Sequence, residues 1–153
     1  MRAVTVENRQ RRVPVAVGRL AATATRALRA TGRAAGRVEV CVVDDASIRR
    51  LNAAWRGVRR RTDVLALPLE APETSAQLVG QVVISAETAR RQARRLGVPI
   101  ALELDLLVTH GLLHLVGYDD RDPVEARLMH RREREILGSR QTAASSRLWR
   151  GLL

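Results

Sequence analysis

The stretch from Thr109 to Asp122 reads THGLLHLVGYDDRD. Its two histidines, His110 and His114, stand at i and i+4 in an otherwise apolar run. On a helix that spacing puts both imidazoles on one face, roughly 6 Å apart at Cβ, so both can reach one ion. Gly117 should end the helix. The chain can then turn back through Tyr118, Asp119 and Asp120 and bring up a third ligand. Three protein ligands with an open fourth position is the pattern of a catalytic zinc site, not a structural one. Two histidines at this spacing also occur as ordinary core residues, because short motifs match by chance. The acidic turn that follows favours ligation. Gly111 stands where a metalloprotease helix carries its glutamate base, which weakens a peptidase reading.

The elements that must hold this stretch are legible on both sides of it. Pro99 opens the helix that carries the histidines. Asp122 is an N-cap with Pro123 at N1 and Glu125 at N3, so a last helix runs from Pro123 to about Leu137 and stops at Gly138. His130 lies in the middle of that helix and reads as exposed. Upstream, VTV near residue 4 is a short first strand, and apolar residues recur at helical spacing from Val13 to Ala30, with a stop at Gly32. RVEVCVV, Arg37 to Val43, is a well-buried strand. Asp44 or Asp45 caps a helix reaching about Trp55. TDVLALPL, Thr62 to Leu69, and LVGQVVI, Leu78 to Ile84, are strands separated by a polar loop over 70–77. Ser85 caps a helix through Leu96, with Gly97 as its C′ residue. The order β-α-β-α-β-β-α-α-α gives an α+β class: one small mixed four-stranded sheet packed with helices, with the metal site at the end of a central helix. Residues 1–138 read as one domain and 139–153 as a loose tail.

Composition narrows the partners. The chain has 153 residues, enough for one core, and a formal charge of +11. All 27 basic residues are arginine, the side chain best suited to bidentate phosphate contact. Such an excess favours a polyanion, either nucleic acid or a ribonucleoprotein surface. Aromatics are scarce, with two Trp, one Tyr and no Phe. No segment approaches the roughly 18 apolar residues of a membrane span, and MRAVTVENRQRR lacks the apolar stretch of a signal peptide. The lone Cys41 lies in a buried strand and acts as a small hydrophobe. A reducing, cytoplasmic setting is expected.

His110-Gly111-Leu112-Leu113-His114-Leu115-Val116-Gly117-Tyr118-Asp119 resembles the H-G-x-L-H-L-x-G-Y-D-H signature of the YbeY family, bacterial rRNA maturation factors described as metal-dependent endoribonucleases. Other landmarks follow the family's order. Leu51-Asn52 through Trp55-Arg56 resembles L-N-x-x-[YW]-R, and Thr62-Asp63-Val64-Leu65 resembles T-D-V-L-S-F. Gly80-Gln81-Val82-Val83-Ile84-Ser85 resembles G-D-I-x-I-S, and Glu103 also has a family counterpart. The resemblance covers roughly Val4 to Leu137. It implies an α+β fold around a mixed sheet, a zinc-type site, and a role in maturing the 3′ end of small-subunit rRNA and in ribosome quality control. The implied partners are an rRNA precursor, the small subunit, and ribosomal proteins or an assembly GTPase, in a bacterial cytoplasm.

The third family ligand is histidine, and Asp120 stands in its place. A carboxylate is a competent zinc ligand, so the role carries over, with a preference for somewhat harder metals. Asp119 reads as a turn or outer-shell residue, and Glu103, about 10 Å from His110 along the helix, as an outer-shell group. Arg56 matches the family's functional arginine and could clamp the scissile phosphate. Arg59, Arg60 and Arg61 form a phosphate-contact patch or a solvated turn. Gln81 and Ala66-Leu67 depart from the family's Asp and Ser-Phe on strands expected to line the cleft. Two functions stay open: an endoribonuclease, and an assembly factor whose metal is structural.

Overall fold

The computed structural model describes residues 3–56, 64–68 and 79–138; the side chains of Arg56 and Val79 are outside that description. Nine elements follow in the order β1 (Val4–Asn8), α1 (Val17–Ala30), β2 (Arg37–Val43), α2 (Asp45–Arg56), β3 (Val64–Pro68), β4 (Val79–Ser85), α3 (Ala86–Leu96), α4 (Ile100–Leu115) and α5 (Pro123–Leu137). This is the α+β order expected from the sequence.

The strands form one mixed sheet in the order β1-β2-β4-β3. β1 and β4 both run parallel to β2, and β3 pairs antiparallel with β4 at the edge. The central strands are buried on both faces, which is why they read as continuous apolar runs. Val38, Val40 and Val42 of β2, with Val82 and Ile84 of β4, face the main core under α1 and α4. Their alternates Cys41, Val43 and Val83, with Leu65 and Leu67 of β3, face a smaller cluster closed by Ile48 and Leu51 of α2. A third cluster, Ala93, Val98, Leu106 and Leu137, joins α3, α4 and α5.

α4 is the central helix. Nearly every side of it is covered, so it shows apolar residues all round instead of one stripe. It reaches the sheet at Gly111, where a Cβ would lie 2.6 Å from Val82 Cγ1 and 3.1 Å from Val64 Cγ2. The glycine after the first histidine is thus a packing requirement. Any side chain there would push the histidine-bearing helix off the sheet.

Local chemistry moves one boundary. α1 starts at Val17, not Val13. The buried Gln10 side chain accepts from Val13 N–H at 2.9 Å and donates to Val13 C=O at 2.8 Å. With both backbone groups held and Pro14 next, Val13 belongs to a turn. The Asp44–Asp45 choice is resolved as a division of labour. Asp44 caps α2 by accepting Ser47 N–H at 2.8 Å. Asp45 accepts from the Ser85 hydroxyl at 2.6 Å, the Thr88 hydroxyl at 2.7 Å and Arg91 at 2.9 Å, tying α2 to α3. Burial alone would raise the Asp45 carboxyl. These three donors outweigh it and hold the group well below the usual carboxylate range. Ser85 and Asp122 act as the expected N-caps, accepting from Thr88 N–H and Glu125 N–H. The loop over 70–77, strand ends Thr62-Asp63 and Leu69, Leu78 and the 139–153 tail lie outside the described residues. Among the described residues, no helix is long and apolar enough to cross a membrane.

Candidate metal centre

α4 ends as the sequence requires. Gly117 adopts φ 108°, a conformation that favours glycine. Tyr118 N–H then donates to Leu113 C=O at 2.9 Å, and Gly117 N–H to His114 C=O at 3.1 Å. This cap folds the chain back over the last turn and returns the Tyr118 carbonyl to His114. His114 Nδ1–H donates to it at 3.1 Å.

His110 is held from a different element. Its Nδ1–H donates to Glu133 Oε1 on α5 at 2.7 Å, and the other carboxylate oxygen accepts from His130 Nδ1 at 3.1 Å. Glu133 is completely buried. His130, expected to be exposed, is instead partly buried and shares this carboxylate.

These outer bonds orient the two rings. A carbonyl and a carboxylate only accept, so each Nδ1 carries a proton and each Nε2 is turned inward. The two Nε2 atoms lie 3.0 Å apart. Asp120 Oδ2 lies 3.6 Å from the first and 3.8 Å from the second. Two imidazole nitrogens and a carboxylate oxygen therefore converge on one place. Burial and the neighbouring His110 both push the His114 imidazole below its ordinary range, with Asp120 opposing, so His114 is neutral at pH 7. The donor atoms of His110, His114 and Asp120 all lie within 4.8 Å of one another, a group able to hold a metal ion. Ligands about 2.05 Å from a tetrahedral zinc stand roughly 3.3 Å apart, and the observed spacings bracket that value. The donor set fits a divalent cation.

The remaining candidates separate cleanly. Asp119 accepts Asp120 N–H at 2.7 Å and pairs with Arg121, so it stabilises the loop that carries Asp120. Arg121 draws the Asp119 carboxyl below its usual range. Glu103 is buried in the first turn of α4, two turns before His110; the carboxylate that reaches His110 is Glu133. Arg56 closes α2, but its side chain is outside the described residues, as are Arg59, Arg60 and Arg61. Glu133 is the residue that the sequence reading missed. Its signal was the spacing Met129–Glu133–Ile136, which puts an acid on the buried stripe of an amphipathic helix.

The cluster opens into a cleft of about 670 Å³ lined by Trp55, the β3 residues Val64, Ala66, Leu67 and Pro68, His114, and the loop Asp119, Asp120 and Arg121. Ala66 and Leu67 line it as expected. Gln81 turns elsewhere, donating to Glu39 at 3.4 Å and Cys41 Sγ at 3.2 Å. Cys41 is buried, which together with Glu39 raises its thiol to about 11.

Fold and site together define an α+β protein with a two-histidine, one-carboxylate cluster at the mouth of an open cleft. Residues 5–141 match the model of the family described as endoribonuclease YbeY. Over 121 residues the chain is 46% identical to the endoribonuclease YbeY of an Anaeromyxobacter species, covering 79% of this chain and 63% of that protein. It is 38% identical over 138 residues to the endoribonuclease YbeY of Geobacter metallireducens, covering 87% and 92%. The solution structure of TM1509 from Thermotoga maritima superposes with a TM-score of 0.57 at 22% identity, covering 89% of this chain and 90% of that one, and shows the same fold. This chain belongs to the endoribonuclease YbeY family. It spans 63% of the length of the Anaeromyxobacter relative.

Proposed function

We propose that the chain is a metal-dependent endoribonuclease that cuts single-stranded RNA, in maturation of the small-subunit rRNA 3′ end and in ribosome quality control. One observation carries the catalytic part: two imidazole nitrogens and a carboxylate oxygen lie within 4.8 Å of one another at the cleft mouth, a group able to hold a metal ion. The family membership supports the substrate class.

In this reading His110, His114 and Asp120 hold one divalent ion, zinc by its nitrogen-rich donor set. An ion held there would supply Lewis-acid chemistry to the phosphodiester and its attacking water. Glu133 and the Tyr118 carbonyl keep both Nε2 atoms aimed inward. Asp119 fixes the loop from which Asp120 reaches in. The Asp120 side chain is 45% exposed, so the cluster faces the open cleft. Arg56, which follows Trp55 in sequence, takes the role of clamping the scissile phosphate. Arg59, Arg60 and Arg61 extend the phosphate contact, and Glu103 supports α4 from its other end. The charge of +11 suits an rRNA precursor on the small subunit, with ribosomal proteins or an assembly GTPase as neighbours in a bacterial cytoplasm.

A second reading has its own support. Among the described residues lining the cleft, the carboxylates are Asp119 and Asp120, and both are engaged. Without a general base, the chain would be an assembly factor with a structural metal. Single-turnover cleavage of a precursor 3′-end RNA separates the two. Wild type cuts, His114→Ala does not, and Arg56→Ala cuts about a hundredfold more slowly. Cleavage surviving in both variants would point to a contaminating nuclease and remove the enzyme reading.

A further inference from the structure

We propose that Trp55 is a base-stacking residue, whose indole takes the face of an unpaired RNA base beside the phosphodiester held at the metal centre. The inference rests on the endoribonuclease reading and adds to it the feature that selects an unpaired strand.

The sequence contains only two Trp, one Tyr and no Phe, so aromatic surface is scarce. Even so, Trp55 is left 60% exposed. Its position on α2 explains how. Ile48, Leu51, Asn52 and Trp55 follow i, i+3, i+4, i+7 spacing and share one helix face. Ile48 and Asn52 are buried on that face, and Leu51 packs beside them. The stripe that grips the sheet therefore runs on to Trp55. Instead of reaching the core, that residue lines the cleft beyond edge strand β3. Among the described residues the other exposed large hydrophobics are Val17, Val124 and Leu128, all aliphatic and all on α1 or α5. Trp55 is the one that meets the cleft.

The cleft has two characters. Val64, Ala66 and Pro68 with Trp55 make an apolar wall; His114, Asp120 and Arg121 make a polar one. A nucleotide has the same division, a flat apolar base and an anionic phosphate. Stacking on an aromatic ring accepts any base, because every base has a π-face. In a duplex those faces are already covered by neighbouring bases, so a stacking wall discriminates by strandedness and not by sequence.

Trp149→Phe in the 153-residue chain leaves Trp55 as the only indole. Its fluorescence is then titrated with a short unstructured oligoribonucleotide, the same oligonucleotide with an abasic centre, and its duplex. The intact single strand should quench the indole, and the abasic and duplex forms should bind about tenfold more weakly or worse. In single-turnover assays Trp55→Ala should raise the RNA concentration for half-maximal rate about tenfold, with zinc stoichiometry unchanged. Trp55→Phe should restore most of the loss, which a merely structural role would not require. Equal affinity for the abasic form, or Trp55→Ala cutting like wild type at limiting RNA, would overturn the proposal. Quenching that persists in a protein unable to cut RNA would uphold stacking and sink the nuclease reading instead.

Discussion

Asp105 and His110 lie about one and a half turns apart on α4, and their polar surroundings end in opposite ways. Asp105 is 2% exposed, yet its carboxylate is saturated. It accepts from Arg19 Nε at 3.0 Å and Nη2 at 2.7 Å, and from the Thr23 hydroxyl at 3.0 Å. Donors from α1 complete it, and the result is a clasp between two helices. At the other end, Glu133 and the Tyr118 carbonyl hold the outward nitrogens of the histidine pair. The inward nitrogens meet each other at 3.0 Å with Asp120 close by, a group of the kind that can hold a metal ion. One helix thus carries a structural node and a candidate metal-binding one.

Substitutions can test that contrast. The largest effect is expected at the functional end. Asp120→Ala should lower zinc affinity a hundredfold or more, whereas Asp120→His should preserve it, since both side chains are competent ligands. Competition against a chromophoric chelator measures both, and full metal stoichiometry in Asp120→Ala would remove that residue from the site. Glu133→Gln should follow, weakening zinc by about 10–100-fold, because an amide at that position no longer anchors the His110 tautomer as a carboxylate does. An unchanged affinity would reduce Glu133 to a packing residue. The smallest effect on metal is expected at the structural end. Asp105→Asn should cost about 1–3 kcal/mol of stability by urea denaturation, since Arg19 is partly exposed and can turn to water. Zinc affinity per folded chain should stay as it was. A large loss there would mean that the two nodes are coupled through α4.

Much of this arrangement was legible before folding. The His110–His114 spacing, the Gly117 stop and the Asp122 cap are local signals, and each held because local geometry decides it. The central strands were legible as apolar, β-branched runs. Contacts made across the fold were not. Glu133 meets His110 only because α5 packs on α4. Asp45 joins Ser85, Thr88 and Arg91 only because α2 and α3 meet at the end of β4. Gln10 displaced the start of α1 through a side-chain bond to Val13 that periodicity does not register. The helix reaching about Trp55 was legible, but only the fold shows that its buried face runs out at Trp55, in the cleft.

Calorimetric titration of the chelator-treated 153-residue chain with zinc at pH 7.4 addresses the candidate metal-binding node directly. Wild type should bind one zinc per chain and gain thermal stability with it, and the double variant His110→Ala/His114→Ala should do neither. Absence of binding by wild type, or equal stoichiometry in the double variant, would show that the converging side chains are not a metal site.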